Sequence, residues 1–533
     1  MQLNRRLTLA VLASFAASTL GGAALADDRP DLVVAVPKLA RGLEPGIFTG
    51  NVDVRVAHSV FDTLIRRDFV AQAETGAAVL IPGLATSWEQ ISPTEMVLKL
   101  REGVTWHDGT EFTAEDVVFS FGQERVYGDG APARTAARMV GQLESVEALG
   151  PYEVKLTWAA VVAESLMPHR LTNSSWIVQA DAYKEFEKDG VEDKAWMGEA
   201  VDAVTWNPTG TGPYIFDDFK AGESIRLVSN DNYFMGAPAA ASITFVEVPE
   251  ISTRIAGLVT GEFDIAADIT PDQLPVLERY DEIQVKSVTR ENTHVVTFNT
   301  AHPMLSDQRL REALSLGINR AELVETIWRG TTETQQGPQL KAYNEMYLDD
   351  LPGFAYDPER ARALLAEAGY DGGTITLSYV PFYYTLGNEA MQILQEMWAD
   401  IGVNIELTPK ESWTAVRTED VMIYAWSNSW RFPDPLAQLD WFFGPNSAIQ
   451  KRYKYWSNDR FDELMNVLVT SVDLEERRVA FREAAEIYMT EIPSTFLYNA
   501  ADIYAIRAGL EYTPTPQFME DFRPDNLKIS ASK

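Results

Sequence analysis

Short apolar runs alternate with longer amphipathic ones along nearly the whole chain, which predicts an α/β protein. Two further observations predict more than one lobe. Removing a 26-residue leader from the 533 residues would leave 507, more than one domain usually holds. No low-complexity tract, internal repeat or long flexible linker divides that length. The lobes are therefore expected to be built from non-contiguous segments.

The chain opens with the pattern of a secretory signal peptide over residues 1–26. Arg5 and Arg6 form a positive start, Leu7 to Leu20 a mostly apolar stretch, and Ala24-Leu25-Ala26 a small-x-small cleavage site. Cleavage would leave Asp27 first. The paired arginines suit either general or twin-arginine export. No later segment approaches the ~20 consecutive apolar residues that a membrane span needs. Cysteine is absent, so neither a lipid anchor at the cleavage site nor a disulfide framework is expected. A chain this long can hold by its core alone.

Leu32–Val36, Val154–Leu156, Ile225–Val228, Ile243–Val248, Val295–Phe298 and Ile375–Val380 are expected as strands. His58–Leu64, Leu310–Ile318, Ala361–Ala368, Ala390–Ile401 and Ala480–Tyr488 have helical spacing. Between Val97 and Phe121 the signals are dense. Val97, Leu98 and Leu100 fit a buried strand, and Trp106 to Thr110 is turn chemistry with Gly109 at the reversal. Thr113 and Asp116 have capping-box spacing ahead of a helix with Val117, Val118 and Phe121 on its apolar face. Asp357 before Pro358 starts another helix, and Gly369 suits its end.

The formal charge is −33, and −35 once Arg5 and Arg6 leave with the leader. Such a chain lacks the basic face that nucleic acid or an anionic membrane needs. No serine elbow, phosphate-binding loop or His-Glu-x-x-His motif is present. The five histidines are scattered and none stands four residues from another, so neither a catalytic site nor a metal site is expected, and no cofactor. His107 is expected to be a structural hydrogen-bonding residue, and Glu115 and Asp116 to be capping or solvated residues.

Five landmarks then carry a resemblance. They are the Val97–Phe121 stretch, Asn207–Tyr214 followed by Asn230–Tyr233, Gly261–Asp264, Leu305–Leu314 running to Ile318-Asn-Arg320, and Tyr356-Asp-Pro358 with Ala361–Gly369. In that order they resemble the periplasmic solute-binding proteins that serve ABC importers of peptides, nickel, opines and some sugars. The resemblance implies a two-lobed periplasmic binding protein fold with a subdomain inserted in the first lobe and the ligand cleft between the lobes. The first lobe would comprise residues 27–70, 201–294 and 496–533, the inserted subdomain 71–200 and the second lobe 295–495. Chain crossings near Val295–Asn299 and Thr495–Asn499 would form the hinge. Such a protein would be a periplasmic monomer that closes on a small-molecule ligand and presents it to an inner-membrane ABC permease complex. A sensor or partner-binding protein on the same fold is the alternative.

The stretch expected to touch ligand is a loop from Ile423 to Pro435, with Trp426, Asn428, Trp430 and Arg431. Trp and Arg dominate binding hot spots because they bring large area and fixed geometry; the two tryptophans could equally plug the lobe. In peptide-binding members of the family the position matching Arg431 is an aspartate that holds the peptide's amino group. Dipeptide-binding members carry an arginine in the loop where this chain has Pro381-Phe382-Tyr383-Tyr384. Both departures put standard peptide binding in doubt and point to an opine-like or peptide-like acid, with an oligosaccharide as the alternative. A guanidinium prefers a carboxylate in bidentate geometry, while Phe382, Tyr383, Tyr384, Trp413, Trp426 and Trp430 could stack on rings or apolar groups. The resemblance adds Thr49, Gly50 and Asn51 from the first lobe, and His294 at the hinge strand could reach inwards.

Overall fold

The computed structural model describes residues 28–172, 175–187, 195–430 and 432–530. The expected signal peptide and Arg431 lie outside the described residues. Among the described residues the main feature is one ten-stranded sheet. Its order is Ile405–Pro409, Ile375–Tyr379, Ile423–Ser429, Ile283–Phe298, Ser494–Arg507, Ile265–Ala266, Asp31–Val36, Ser242–Glu247, Ser224–Ser229 and Tyr214–Lys220.

Two parallel groups flank a long antiparallel pair. Ile375–Tyr379 runs parallel to Ile405–Pro409 and to Ile423–Ser429. Asp31–Val36 runs parallel to Ser242–Glu247 and Ile265–Ala266. Between them the 16-residue Ile283–Phe298 strand pairs with Ser494–Arg507 over most of its length. Both long strands thus pass from one group to the other. Their register breaks between Thr289 and Thr293, and again at His294 and Val295. An extra residue in one strand bends and twists it, so the sheet turns at these breaks.

The side-chain alternation of strands divides the packing around the group that contains Ile423–Ser429. Val296, Phe298, Ile423 and Ala425 point to one face and form a core with the helices Gln308–Leu316, Pro358–Glu367 and Gly387–Asp400. Val295, Tyr424 and Trp426 point to the other, where the core is continuous with a second sheet. That sheet is antiparallel, in the order Ala85–Ser92, Glu95–Leu100, Glu153–Trp158, Leu143–Gly150. The group that contains Asp31–Val36 has its own core, built on Val34, Ile243, Phe245 and Phe522.

Most sequence-derived elements are present with shifted ends, because the extended pairing and the caps set them. Thr113 and Asp116 form the expected capping box of the Ala114–Ser120 helix. Asp357 accepts from Arg360 N at the start of the Pro358 helix, and Gly369 has φ +70°. Two readings are corrected. The expected His58–Leu64 helix is instead Asn51–Val60, capped by Gly50 with Asp53 at the third position. The expected loop from Ile423 is a strand as far as Ser429. Ser and Asn have little strand preference of their own, but here they pair with residues 292–298 along the whole length.

The Val97–Phe121 and Asn207–Tyr214 landmarks lock together. His107 N donates to Gly210 O, and Gly210 N donates back to His107 Nδ1 at 3.3 Å. His107 Nε2 therefore carries the proton and donates to Gly212 O at 3.0 Å. Burial lowers this histidine to a pKa of about 4, which keeps the ring neutral and the pair of bonds intact. A Cβ at Gly210 would fall 1.8 Å from the Val60 carbonyl oxygen, so glycine is required for the approach. Asp116 accepts from Thr113 N, Ala180 N and Trp106 Nε1. These residues are scaffold.

Candidate functional site

In open α/β sheets, ligands settle in the crevice outside the carboxyl ends of the strands. In the second lobe two parallel strands end level, at Tyr379 and Pro409, and the parallel Ile423–Ser429 strand runs on past them. The segments that leave them bring aromatic rings into one cluster. Tyr383 meets Trp413 edge-on with centroids 4.6 Å apart and Tyr384 at 5.7 Å. Tyr384 lies over His294 at 3.7 Å. The backbone here is held in an unusual state, with φ +57° at Phe382 and +59° at Leu386; non-glycine residues in this region cost energy that the surroundings must supply.

The cluster is tied to the strand face by a residue that sequence reasoning missed. The guanidinium of half-buried Arg417 stands 5.0 Å from the Trp413 ring, 5.3 Å from Trp426 and 5.7 Å from Tyr424. All three distances fall within cation–π range. Among the described residues no carboxylate forms an ion pair with it, and its buried Nε has no hydrogen-bond partner. Behind Tyr424 and Trp426 the side chains of Thr297, Phe442, Tyr455 and Trp456 are closely packed.

Two more polar groups on these strands are unsatisfied. Asn428 is fully buried, with neither its amide oxygen nor its nitrogen hydrogen-bonded. It lies opposite Thr293, whose hydroxyl accepts from Trp430 Nε1 at 2.9 Å. His294 is buried on the other face, between Tyr384 and Tyr498, with both ring nitrogens unpaired. Burial lowers its pKa to about 3. Unpaired buried polar groups are costly, and an ordered water or a ligand can supply the missing partner.

The expected site residues therefore separate into several sets. Tyr383, Tyr384, Trp413, Trp426 and His294 come together, joined through ring contacts and Arg417. Trp430 and Trp426 are buried, and each donates its indole N–H to a threonine, Thr293 and Thr297 respectively. Phe382 stands in solvent, 88 % exposed. Thr49, Gly50 and exposed Asn51 lie at the start of the Asn51–Val60 helix, and Asp53 there binds Gly50 N and Arg41. None of the ring contacts of the aromatic cluster reaches them. Arg417 was legible only as a charge in an acidic, polar run; the paired Trp413 four residues earlier was its one local signal.

The first lobe has a small recess of about 10 Å3, lined by Glu44, Phe61, Gln179 and Tyr183 among others. Its polar groups are spent internally. Glu44 accepts from Arg125, Tyr183 and the amides of Gly46 and Ile47, and Gln179 donates to Asp108 and Thr110. Among the described residues no group of three or more His, Asp or Glu could hold a metal ion, and no helix is long and apolar enough to cross a membrane.

Comparison with known proteins identifies the family and the fold. A family model for bacterial extracellular solute-binding proteins, family 5 (middle region), matches residues 79–450. A di/tripeptide-binding protein of Pseudomonas aeruginosa is 25 % identical, with 96 % of this chain and 97 % of the relative aligned. A heme-binding protein of Haemophilus influenzae is 26 % identical over 86 % and 85 % of the two chains. Among solved structures, an ABC transporter substrate-binding protein of Listeria monocytogenes superposes with a TM-score of 0.81 at 21 % identity, covering 95 % of this chain and all of the other. A dipeptide-binding protein of Pseudoalteromonas in complex with Met-Leu superposes at 0.76 with 22 % identity, over 94 % of this chain and all of the other.

Proposed function

The chain belongs to the bacterial extracellular solute-binding proteins of family 5, and on that premise we propose that it is the periplasmic receptor for a small organic acid, peptide-like or opine-like. It is the substrate-binding component of an ABC importer and not an enzyme. It is exported by the leader at residues 1–26, works as a monomer, and hands its ligand to an inner-membrane permease. Closure of the two lobes about the Ile283–Phe298 and Ser494–Arg507 strands encloses the ligand, as hinged domains do. The ligand shifts the population of closed molecules by binding that form better.

The observation that carries the ligand class is the aromatic end of the second lobe, where a guanidinium has rings on three sides and no carboxylate of its own. The names of several relatives, which concern di- and tripeptides, dipeptides and glutathione, support a peptide-like solute, while another binds heme. The oligosaccharide and sensor readings draw no support from them. Native mass spectrometry of protein purified from periplasmic extract, followed by release of the bound molecule, tests the proposal. One small acid per chain is the expected result. A neutral sugar in its place, or a stable protein partner with no small molecule, would overturn it.

A further inference from the structure

Arginines elsewhere in the interior show what a structural guanidinium looks like in this fold. Arg125 is paired with Glu44 at 2.6 Å, Arg477 with Asp434 at 2.8 Å, and Arg523 with Asp62 at 2.8 Å. Arg311 and Arg320 lack such carboxylates but donate to ordered carbonyl oxygens, Arg311 to those of Leu305, Ser306 and Glu491 and Arg320 to those of Phe496 and Ile318. Among the described residues Arg417 forms no ion pair and donates to no backbone carbonyl, although its side chain bonds to that of Tyr424. It is held instead by the Trp413 and Trp426 rings and by Tyr424. Such a box fixes the guanidinium plane and removes water from its faces, leaving its in-plane N–H groups as the means of recognition.

We propose that Arg417 is the specificity-determining anchor for the ligand's carboxylate, with the adjoining part of the ligand packed on the Trp413 side of the box. The inference rests on the acidic-ligand reading above and names the residue that enforces it. A carboxylate placed in the guanidinium plane receives two parallel N–H···O bonds, and the buried Nε gains the partner it lacks. The position also explains why the box is aromatic. Carboxylate side chains beside Arg417 would neutralise it internally, whereas rings hold it without spending its charge.

The test compares acids with their amides. Calorimetry on the full chain would use Met-Leu, glutathione and N-acetylphenylalanine, each alongside its carboxamide, against wild type, Arg417→Gln and Arg417→Lys. Wild type is expected to bind at least one free acid more than tenfold tighter than its amide. Arg417→Gln should lose more than about tenfold in acid affinity and with it the preference, while Arg417→Lys keeps part of both. A normal melting temperature for unliganded Arg417→Gln would show that the loss is not unfolding, and Arg417→Lys carries the test if that variant does not fold. Equal binding of acid and amide by wild type, unchanged acid affinity in Arg417→Gln, or no binding to any acid would each overturn the anchor. If N-acetylphenylalanine alone binds, and through Arg417, the anchor stands and the peptide-like reading fails.

Discussion

The crossing strands and the aromatic end of the second lobe spend buried charge in opposite ways. At the crossing, Glu291 accepts from Arg67, Gln72 and Gln517, Arg290 pairs with Asp502, and Arg55 pairs with Asp268. Each of these guanidiniums has a carboxylate of the chain against it. At the aromatic end, Arg417 meets rings, and Asn428 and His294 meet nothing that bonds to their polar atoms. The difference separates groups that hold the fold from groups that wait for something else. Deleting one partner of a satisfied pair strands a buried charge, whereas deleting an unanswered group removes only its own packing.

The largest effect is therefore expected at the crossing. Glu291→Ala leaves Arg67 buried without its carboxylate and should lower the unfolding free energy by about 3–5 kcal/mol, measured by urea titration. A loss below about 1 kcal/mol would mean the pair is solvated in solution and the contrast false. Trp430→Ala should cost about as much, roughly 3–5 kcal/mol in the ligand-free protein, because the ring is fully buried against Tyr343 and bonded to Thr293. Near-normal stability with lost binding would move Trp430 from the core to the ligand surface.

His294 gives an effect of middle size with a defined sign. Its folded pKa, about 3, lies below its ordinary value of 6.5. The unfolded chain therefore takes up a proton below pH 6.5 that the folded chain refuses. Its share of stability is complete above pH 6.5 and is lost as the pH falls towards 3. His294→Phe should flatten that part of the stability–pH curve. An unchanged slope would show the imidazole titrating freely, hence solvated.

The smallest change is expected at Phe382. With 88 % of the residue exposed, Phe382→Ala should alter ligand-free stability by less than about 0.5 kcal/mol in the same urea titration. A loss of several kcal/mol would show the side chain buried in solution.

Sequence patterning made much of this fold legible, for reasons that are local. The capping box at Thr113 and Asp116, the Asp357-Pro358 start and the turn at Gly109 are set by residues within a few positions of one another. What escaped depends on distant partners. The Ile423–Ser429 segment reads as a loop until residues 292–298 pair with it. Helix Asn51–Val60 begins earlier than its apolar spacing suggests because Gly50 and Asp53 supply the cap. The aromatic members of the site were legible by type, since Tyr383, Tyr384 and Trp413 are conspicuous in polar loops. Arg417 was not, because its meaning lies in having Trp426 and Tyr424 beside it, and those belong to a strand that sequence reasoning had made a loop.

Hydrogen exchange on protein as purified, compared with protein stripped of ligand by unfolding and refolding, tests the central claim most directly. If the aromatic end of the second lobe is the ligand site, bound molecules should protect the backbone at residues 380–386, 410–417 and 424–430, together with the crossing strands. Protection confined to the first-lobe pocket around Glu44 and Tyr183, with residues 410–430 unchanged, would contradict it.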